Sequence, residues 1–224
     1  MMYVNNKQMV LPGDLLCTSD FKSGDGTFLE EDKIYSEIVG ITNFNENQIT
    51  IIPFKNKYQP HYGDLVIGQI TSINYSSWYL NINSTYSGYL TCSELFGKET
   101  QNLKNIINVD DILLLRVDYV DEINRVKLTL KYKGLGKFNQ GHIINIKQPT
   151  VYFLTEENLS LTNMIQNYSN TDLIIGKNGV VWINGSSEDS ENAIIDLINF
   201  IDEKPCTPSR VNKIQEKIIE LTKE

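Results

Sequence analysis

The chain has 224 residues, of which 41% are hydrophobic and 21% are charged, and this composition excludes a disordered or coiled-coil protein. Its formal net charge of −8 disfavours a free-standing nucleic-acid binder, because such proteins usually carry a basic surface. The sequence has no apolar run near ~20 residues, no secretory signal pattern and only widely spaced cysteines, which predicts a cytoplasmic protein without membrane spans, disulfides or zinc.

Residues 1–58 are predicted to form a small N-terminal β domain. Turn-forming glycines and prolines interrupt short apolar segments throughout this region, and such a pattern is typical of short strands. Predicted strands begin near Leu15 and Phe28, and two more cover residues 34–41 and 49–53, with a polar turn at 43–48. The polar, proline-containing segment that follows marks the boundary to the next domain.

Residues 59–133 are predicted to form a five-stranded OB-fold barrel. Longer segments of alternating apolar and polar residues replace the short strands of the first domain. A helical turn within residues 97–108 separates the third strand from the fourth, an order that is typical of the OB fold. The five predicted strands are residues 64–72, 77–82, 87–90, 112–120 and 124–130.

The second strand of this barrel supplies one candidate contact to nucleic acid. Apolar Leu80 and Ile82 mark the side of the strand that faces the core. Trp78 lies on the same side and is predicted to be a core residue. Tyr79 lies on the other side, where its ring is the better candidate for stacking on a base.

The last strand supplies the candidate basic face. Alternation places Arg125, Lys127 and Thr129 on its outer side, and Lys131 and Lys133 continue on that side. In an OB fold such cations contact the phosphates of RNA. Lysines on an exposed strand also serve to block edge pairing, and the sequence alone leaves both interpretations open.

Residues 134–224 are predicted to form a mixed α+β domain with a C-terminal helix. Apolar residues at helical spacing predict helices at 156–168 and 187–203, and Pro208 opens the last helix. Predicted strands cover residues 141–147, 172–175 and 180–183.

The tetrapeptide from Gly176 to Gly179 matches the G-x-x-G pattern of the KH loop, which clamps a nucleic-acid backbone. Here it joins two apolar strands, whereas the KH clamp lies between two helices. The corresponding segment of this chain, residues 153–159, has no glycine pair and contains two acids. We therefore interpret Gly176 and Gly179 as a structural turn rather than as an RNA clamp.

The sequence gives no indication of catalysis, of a metal site or of a cofactor. The only histidines, His61 and His142, lie in different predicted domains and outside any nucleophile or metal motif. Neither a P-loop nor a dinucleotide fingerprint is present. No catalytic residue, metal ligand or cofactor is predicted, and the chain is not expected to be an enzyme.

Two sets of motifs resemble known RNA-binding proteins. Residues 63–70, 78–82 and 88–94 resemble the OB domain of the ribosomal-protein S-one type. The wider series resembles the archaeal exosome cap subunit, which joins an N-terminal β domain, an OB domain and a KH-type domain. It consists of residues 10–14 (VLPGD), 24–28 (GDGTF), 63–64, 134–137 (GLGK) and 176–183 (GKNGVVWI).

The resemblance implies a non-catalytic subunit that binds single-stranded RNA and guides it into a ring of RNase PH-like subunits for 3′-to-5′ degradation and processing. It also implies three copies per assembly. Two alternatives stay open at this point. One is a stand-alone OB/KH module in translation, for which a basic chain would be expected, and the other is a scaffold without RNA contact.

Overall fold

The computed structural model describes residues 2–18, 20–45, 47–53, 57–94, 107–157, 159–169, 171–203 and 208–221. Two small sheets come first, a closed five-stranded barrel follows, and a three-stranded sheet with helices completes the described chain. This order confirms the predicted fold class, mainly β and then α+β. Among the described residues, no helix is both long enough and apolar enough to cross a membrane.

In the N-terminal region, two mainly antiparallel sheets pack around a small core. One sheet has the order β2-β5-β4 and the other the order β1-β6-β7-β3. Leu16, Ile34 and Ile49 are fully buried between them, each worth roughly 1.5–3 kcal/mol of transfer free energy. The strands are β1 (Met9–Val10), β2 (Leu15–Thr18), β3 (Lys22–Ser23), β4 (Thr27–Glu30), β5 (Lys33–Ser36), β6 (Gly40–Asn45) and β7 (Gln48–Pro53).

The prediction of one strand over residues 34–41 is wrong. The chain leaves the first sheet at the end of β5 and enters the second sheet at Gly40. The Ser36 hydroxyl donates to the Ile38 carbonyl oxygen at 2.7 Å, which stabilises the bend between the strands. The backbone of Ile52 lies so close to Gly40 that a side chain there would clash. The predicted strand therefore contained a change of sheet, at the bend over residues 37–39.

The barrel is closed, because β12 pairs both with β10 and with β11. Its strands are β8 (Leu65–Ile73), β9 (Ser77–Asn81), β10 (Ser87–Thr91), β11 (Ile112–Val120) and β12 (Arg125–Thr129). Each lies within two residues of its predicted limits. Trp78 is fully buried in the core, as predicted, and its Nε1 donates to the Ile107 carbonyl oxygen at 3.2 Å. The predicted helical turn at 97–108 falls almost entirely on residues 95–106, outside the described ranges.

The α+β region begins where the barrel sheet ends. Strand β13 (Gly136–Lys137) still pairs with β11, beyond the predicted boundary at residue 133, and the domain limits stay a prediction. Ile67 and Leu114 on the barrel pack against Val180 and Trp182 of the α+β region, so part of the outer barrel face is covered.

The sheet of the α+β region has the order β14-β16-β15. Apolar residues of this sheet and of the helices form one buried core. Its helical part begins earlier than predicted, because Pro149 fits the first turn of a helix. A π-helical turn (Phe153–Glu157) then leads into the predicted helix. The elements are β14 (His142–Asn145), α1 (Gln148–Tyr152), α2 (Leu159–Ser169), β15 (Asp172–Ile175), β16 (Val180–Asn184), α3 (Glu188–Glu203) and α4 (Pro208–Leu221).

Candidate nucleic-acid interface

Two tyrosines lie side by side on the open part of the outer barrel face. Tyr79 on β9 is directly opposite Tyr89 on β10 in the antiparallel register, so their Cβ atoms are about 5 Å apart. Tyr79 is 36% exposed and Tyr89 is half-buried. Tyr89 was not among the predicted contacts, although the alternation between buried Gly88 and Leu90 gives the same signal. Adjacent rings of this kind can stack on successive bases.

Arg125 lies on the neighbouring strand and is held by Asp121. Its Nε is 2.9 Å from Asp121 Oδ2, and its backbone N–H donates to Asp121 Oδ1 at 2.7 Å. The backbone N–H of Arg125, together with its guanidinium, lowers the pKa of the Asp121 carboxyl. The hydrogen bond between the Arg125 side chain and Asp121 also raises the pKa of Arg125. The cation is therefore present on the face, but a carboxylate already accepts one of its donors.

A buried carboxylate lies beneath the two lysines that follow. The Glu94 side chain is only 2% exposed, and its oxygens lie 3.1 Å from Lys131 Nζ and 3.8 Å from Lys127 Nζ. Thr129 was predicted to be exposed, but it is buried because its hydroxyl donates to Glu94. Lys127 also contacts Asp118 at 2.7 Å, and this hydrogen bond raises the pKa of Lys127.

The structure thus brings together most of the predicted site residues. Tyr79, Arg125 and Lys127 share the open face. Lys131 lies beyond the end of β12, but its ammonium group is held near this face by Glu94, which also contacts Lys127. Lys133 is exposed further along the chain, and no ion pair links it to this face within the described ranges. We call Tyr79, Tyr89, Arg125, Lys127 and Lys131 the aromatic-basic face.

The turn from Gly176 to Gly179 does not point to solvent; it docks on the barrel. Asn178 is fully buried, and its Nδ2 donates to the carbonyl oxygens of Ile67 at 2.7 Å and Ile82 at 3.0 Å. Its Oδ1 accepts the backbone N–H of Ile67 at 3.2 Å. Gly179 has φ 75°, and a Cβ there would lie 2.6 Å from the Ile146 carbonyl oxygen.

This turn takes the place of a missing strand at the edge of β8. In an antiparallel ladder, successive residues bond alternately to the two neighbouring strands. Ile70 bonds to Asp111 on the β11 side, so Ile67 directs its backbone groups to the β9 side. There β9 has already ended at Asn81, and the amide of Asn178 supplies a donor and an acceptor instead.

The segment that corresponds in position to a KH clamp is partly buried in the core. The segment between α1 and α2 is the π-helical turn, and its Phe153 and Leu154 are buried in the core of the α+β region. Within the described ranges, no three His, Cys, Asp or Glu side chains are grouped closely enough to hold an ion.

Comparison with known proteins identifies the family. Residues 7–55 match the model of the exosome RNA binding protein RRP4 N-terminal domain, and residues 57–117 match that of the RRP4 S1 domain. The exosome complex component Rrp4 of Methanosphaera stadtmanae is 55% identical over 98% of this chain and 99% of its own length. The chain belongs to the Rrp4 family. The Rrp4 of Methanobrevibacter smithii is 42% identical over 97% of this chain and 73% of its own length.

A solved structure has the same fold as this chain. It is described as an exosome complex RNA-binding protein and superposes with a TM-score of 0.67 at 25% identity, covering 74% of this chain and 97% of that one. The match to the RRP4 S1 model includes Tyr79 and Tyr89 but ends before Arg125. The aromatic half of the face therefore lies inside the matched S1 region, and the basic half lies on and just after β12, the strand that closes the barrel.

Proposed function

We propose that this chain is the non-catalytic RNA-binding cap component of an exosome. In this role it binds single-stranded RNA and guides it into a ring of RNase PH-like subunits for 3′-to-5′ degradation and processing. Three copies assemble on one ring, in the cytoplasm. The observation that carries the proposal is the pairing of Tyr79 and Tyr89 beside Arg125 and Lys127 on the barrel of an Rrp4-family chain.

The chemistry of the face favours weak binding by a single chain. Stacking on an aromatic side chain contributes about 1–3 kcal/mol per base and tolerates any sequence. Arg125, Lys127 and Lys131 are each paired with a carboxylate, so an incoming phosphate has to compete with Asp121, Asp118 and Glu94. Three caps on one ring raise the effective concentration of binding sites and compensate for the weak individual contact.

The same ion pairs favour one competing function, a scaffold that supports the ring without touching RNA. A face whose cations are already neutralised has a smaller electrostatic contribution to RNA affinity. The two functions differ in one measurable property, which is whether affinity for RNA depends on this face.

The test combines RNA binding with co-purification. We would replace Lys131 and Lys133 with Gln, because Glu at position 131 would face Glu94 and disturb the fold. The double variant should bind an oligoribonucleotide more weakly, and its log–log salt slope should be shallower by about one unit. The matched control is Lys177→Gln, which removes one lysine from the docked turn and should leave RNA binding unchanged.

Each alternative outcome identifies a different function. A chain that elutes with RNase PH-like subunits but binds no RNA, before or after assembly, would be a scaffold. A chain that binds RNA but never elutes with such subunits would be a stand-alone module.

A further inference from the structure

A narrow cleft separates the barrel from the α+β region beside the docked turn. It has a volume of about 100 Å³, and Ile67 and Val180 contribute to an apolar floor. Its polar lining consists of four amide side chains, Gln69, Asn81, Asn83 and Asn145, without a charged group. Typical pockets for drug-sized ligands measure about 300–1,000 Å³, so this cleft has room for one small planar group.

The amides of this cleft leave several hydrogen-bonding atoms unused within the described part of the chain. Asn81 Oδ1 accepts the Asn83 N–H at 2.9 Å, and Asn81 Nδ2 donates to no described residue. Gln69 Nε2 donates to Asp110 at 3.3 Å, which leaves Gln69 Oε1 open. The Asn145 side chain is exposed on the edge strand β14 and makes no hydrogen bond to a described residue. Donors and acceptors are thus both available around an apolar floor.

The cleft adjoins the aromatic-basic face along one strand. Asn81 and Tyr79 are two residues apart on β9 and are both exposed, so they lie on the same side of the sheet, about 6.8 Å apart along the strand. A nucleotide next to a base stacked on Tyr79 therefore comes within reach of Asn81. Asn145, on β14 of the α+β region, also lines the cleft.

We propose that this cleft holds one unstacked RNA base and reads its hydrogen-bonding edge through the amides of Asn81, Gln69 and Asn145. An uncharged lining with both donors and acceptors matches the edge of a nucleobase, and it has no cation to neutralise a phosphate. The inference rests on the proposed function, because the RNA strand is delivered by the aromatic-basic face. It adds base preference to a binder that would otherwise tolerate any sequence.

The test uses Asn145→Ala in the full chain, with fluorescence anisotropy on labelled oligo-A, oligo-C and oligo-U. The variant should lose roughly fivefold in affinity for the preferred oligomer and discriminate less among the three. Its salt slope should equal that of the wild type, because no phosphate contact is lost. Asn139→Ala is the matched control: this asparagine is equally exposed but lies outside the cleft, so all affinities should be unchanged.

Two results would overturn the inference. Unchanged affinity and unchanged base preference in Asn145→Ala would show that the cleft does not read a base. A loss of affinity that equals the loss in Asn139→Ala would show a nonspecific effect. In either case an intact response to the Lys131 and Lys133 double variant would leave the proposed function standing, whereas a wild-type chain that binds none of the oligomers would refute both.

Discussion

The sharpest stability prediction concerns Asn178, the residue that ties the α+β region to the barrel. Replacing it with alanine removes three hydrogen bonds, two to the backbone of Ile67 and one to that of Ile82. On the β9 side, the backbone of Ile67 has no other partner among the described residues, because β9 ends at Asn81. One buried N–H and two buried carbonyl oxygens would therefore lose their partners.

The magnitude follows from that count. A net hydrogen bond contributes about 1 kcal/mol, and a buried group left unpaired costs about 1–3 kcal/mol. We expect Asn178→Ala to lower the free energy of unfolding by about 3–5 kcal/mol, with water entry reducing the loss toward the lower value. Asn178→Asp should be at least as harmful, because a carboxylate oxygen would face the carbonyls of Ile67 and Ile82 in place of the donor.

Urea denaturation followed by tryptophan fluorescence can measure this effect at two places. Trp78 reports on the barrel core, and Trp182 reports on the interface, where it stacks on Phe138 at 4.3 Å between ring centroids. In the variant, the Trp182 signal should change at lower urea than the Trp78 signal. The control is Gln148→Ala, which removes a single hydrogen bond to the Lys177 carbonyl oxygen and should cost about 1 kcal/mol.

A variant that unfolds within about 1 kcal/mol of the wild type with coincident transitions would show that Asn178 does not hold the strand edge, since a single hydrogen bond accounts for that much. Such a result would mean that water or a shifted turn satisfies the strand edge as well as the asparagine does.

Three further outcomes are expected. Gly179→Val should lower the free energy of unfolding by roughly 2–3 kcal/mol in urea denaturation, because φ is 75° and the Ile146 carbonyl oxygen leaves no room for a Cβ. Glu94→Gln should tighten RNA binding and steepen its salt dependence in anisotropy titrations, because the two lysines above it lose a competing carboxylate. Asp121 has a lowered pKa in the folded chain, so its stabilising effect is present above its unfolded pKa of about 3.9 and is lost as the pH falls through the folded value. Asp121→Asn should therefore destabilise the chain at pH 7, and the difference in thermal denaturation should shrink as the pH falls below about 3.9.

The barrel was predictable because its signal is local. Alternation with a period of two locates each strand and separates core from surface, which was sufficient to place Trp78 inside and Tyr79 outside. The change of sheet after Ser36 was not predictable in this way, since apolar residues occur on both sides of the bend and the bend depends on a hydroxyl and a tight backbone contact.

The character of the candidate site depended on contacts that no local pattern contains. Asp118 lies across the β11–β12 hairpin from Lys127, but Glu94 is distant in sequence, and only the closed barrel brings Glu94 to the lysines. The turn at Gly176 and Gly179 was predictable as a turn, but its attachment to β8 joins residues 111 positions apart. Contacts between residues so far apart in sequence can be identified only from the folded structure.

The edge of β8 has a consequence for dissecting the chain into modules. A fragment cut after residue 133 would contain the whole barrel but would lack Lys177 and Asn178, which hydrogen-bond to Leu65 and Ile67. It would expose free backbone groups next to the apolar side chains of Ile67 and Leu114. Such an edge readily accepts a strand from another molecule. The isolated barrel should consequently self-associate at high concentration, and a fragment that retains the whole α+β region is the safer unit for crystallisation or domain exchange.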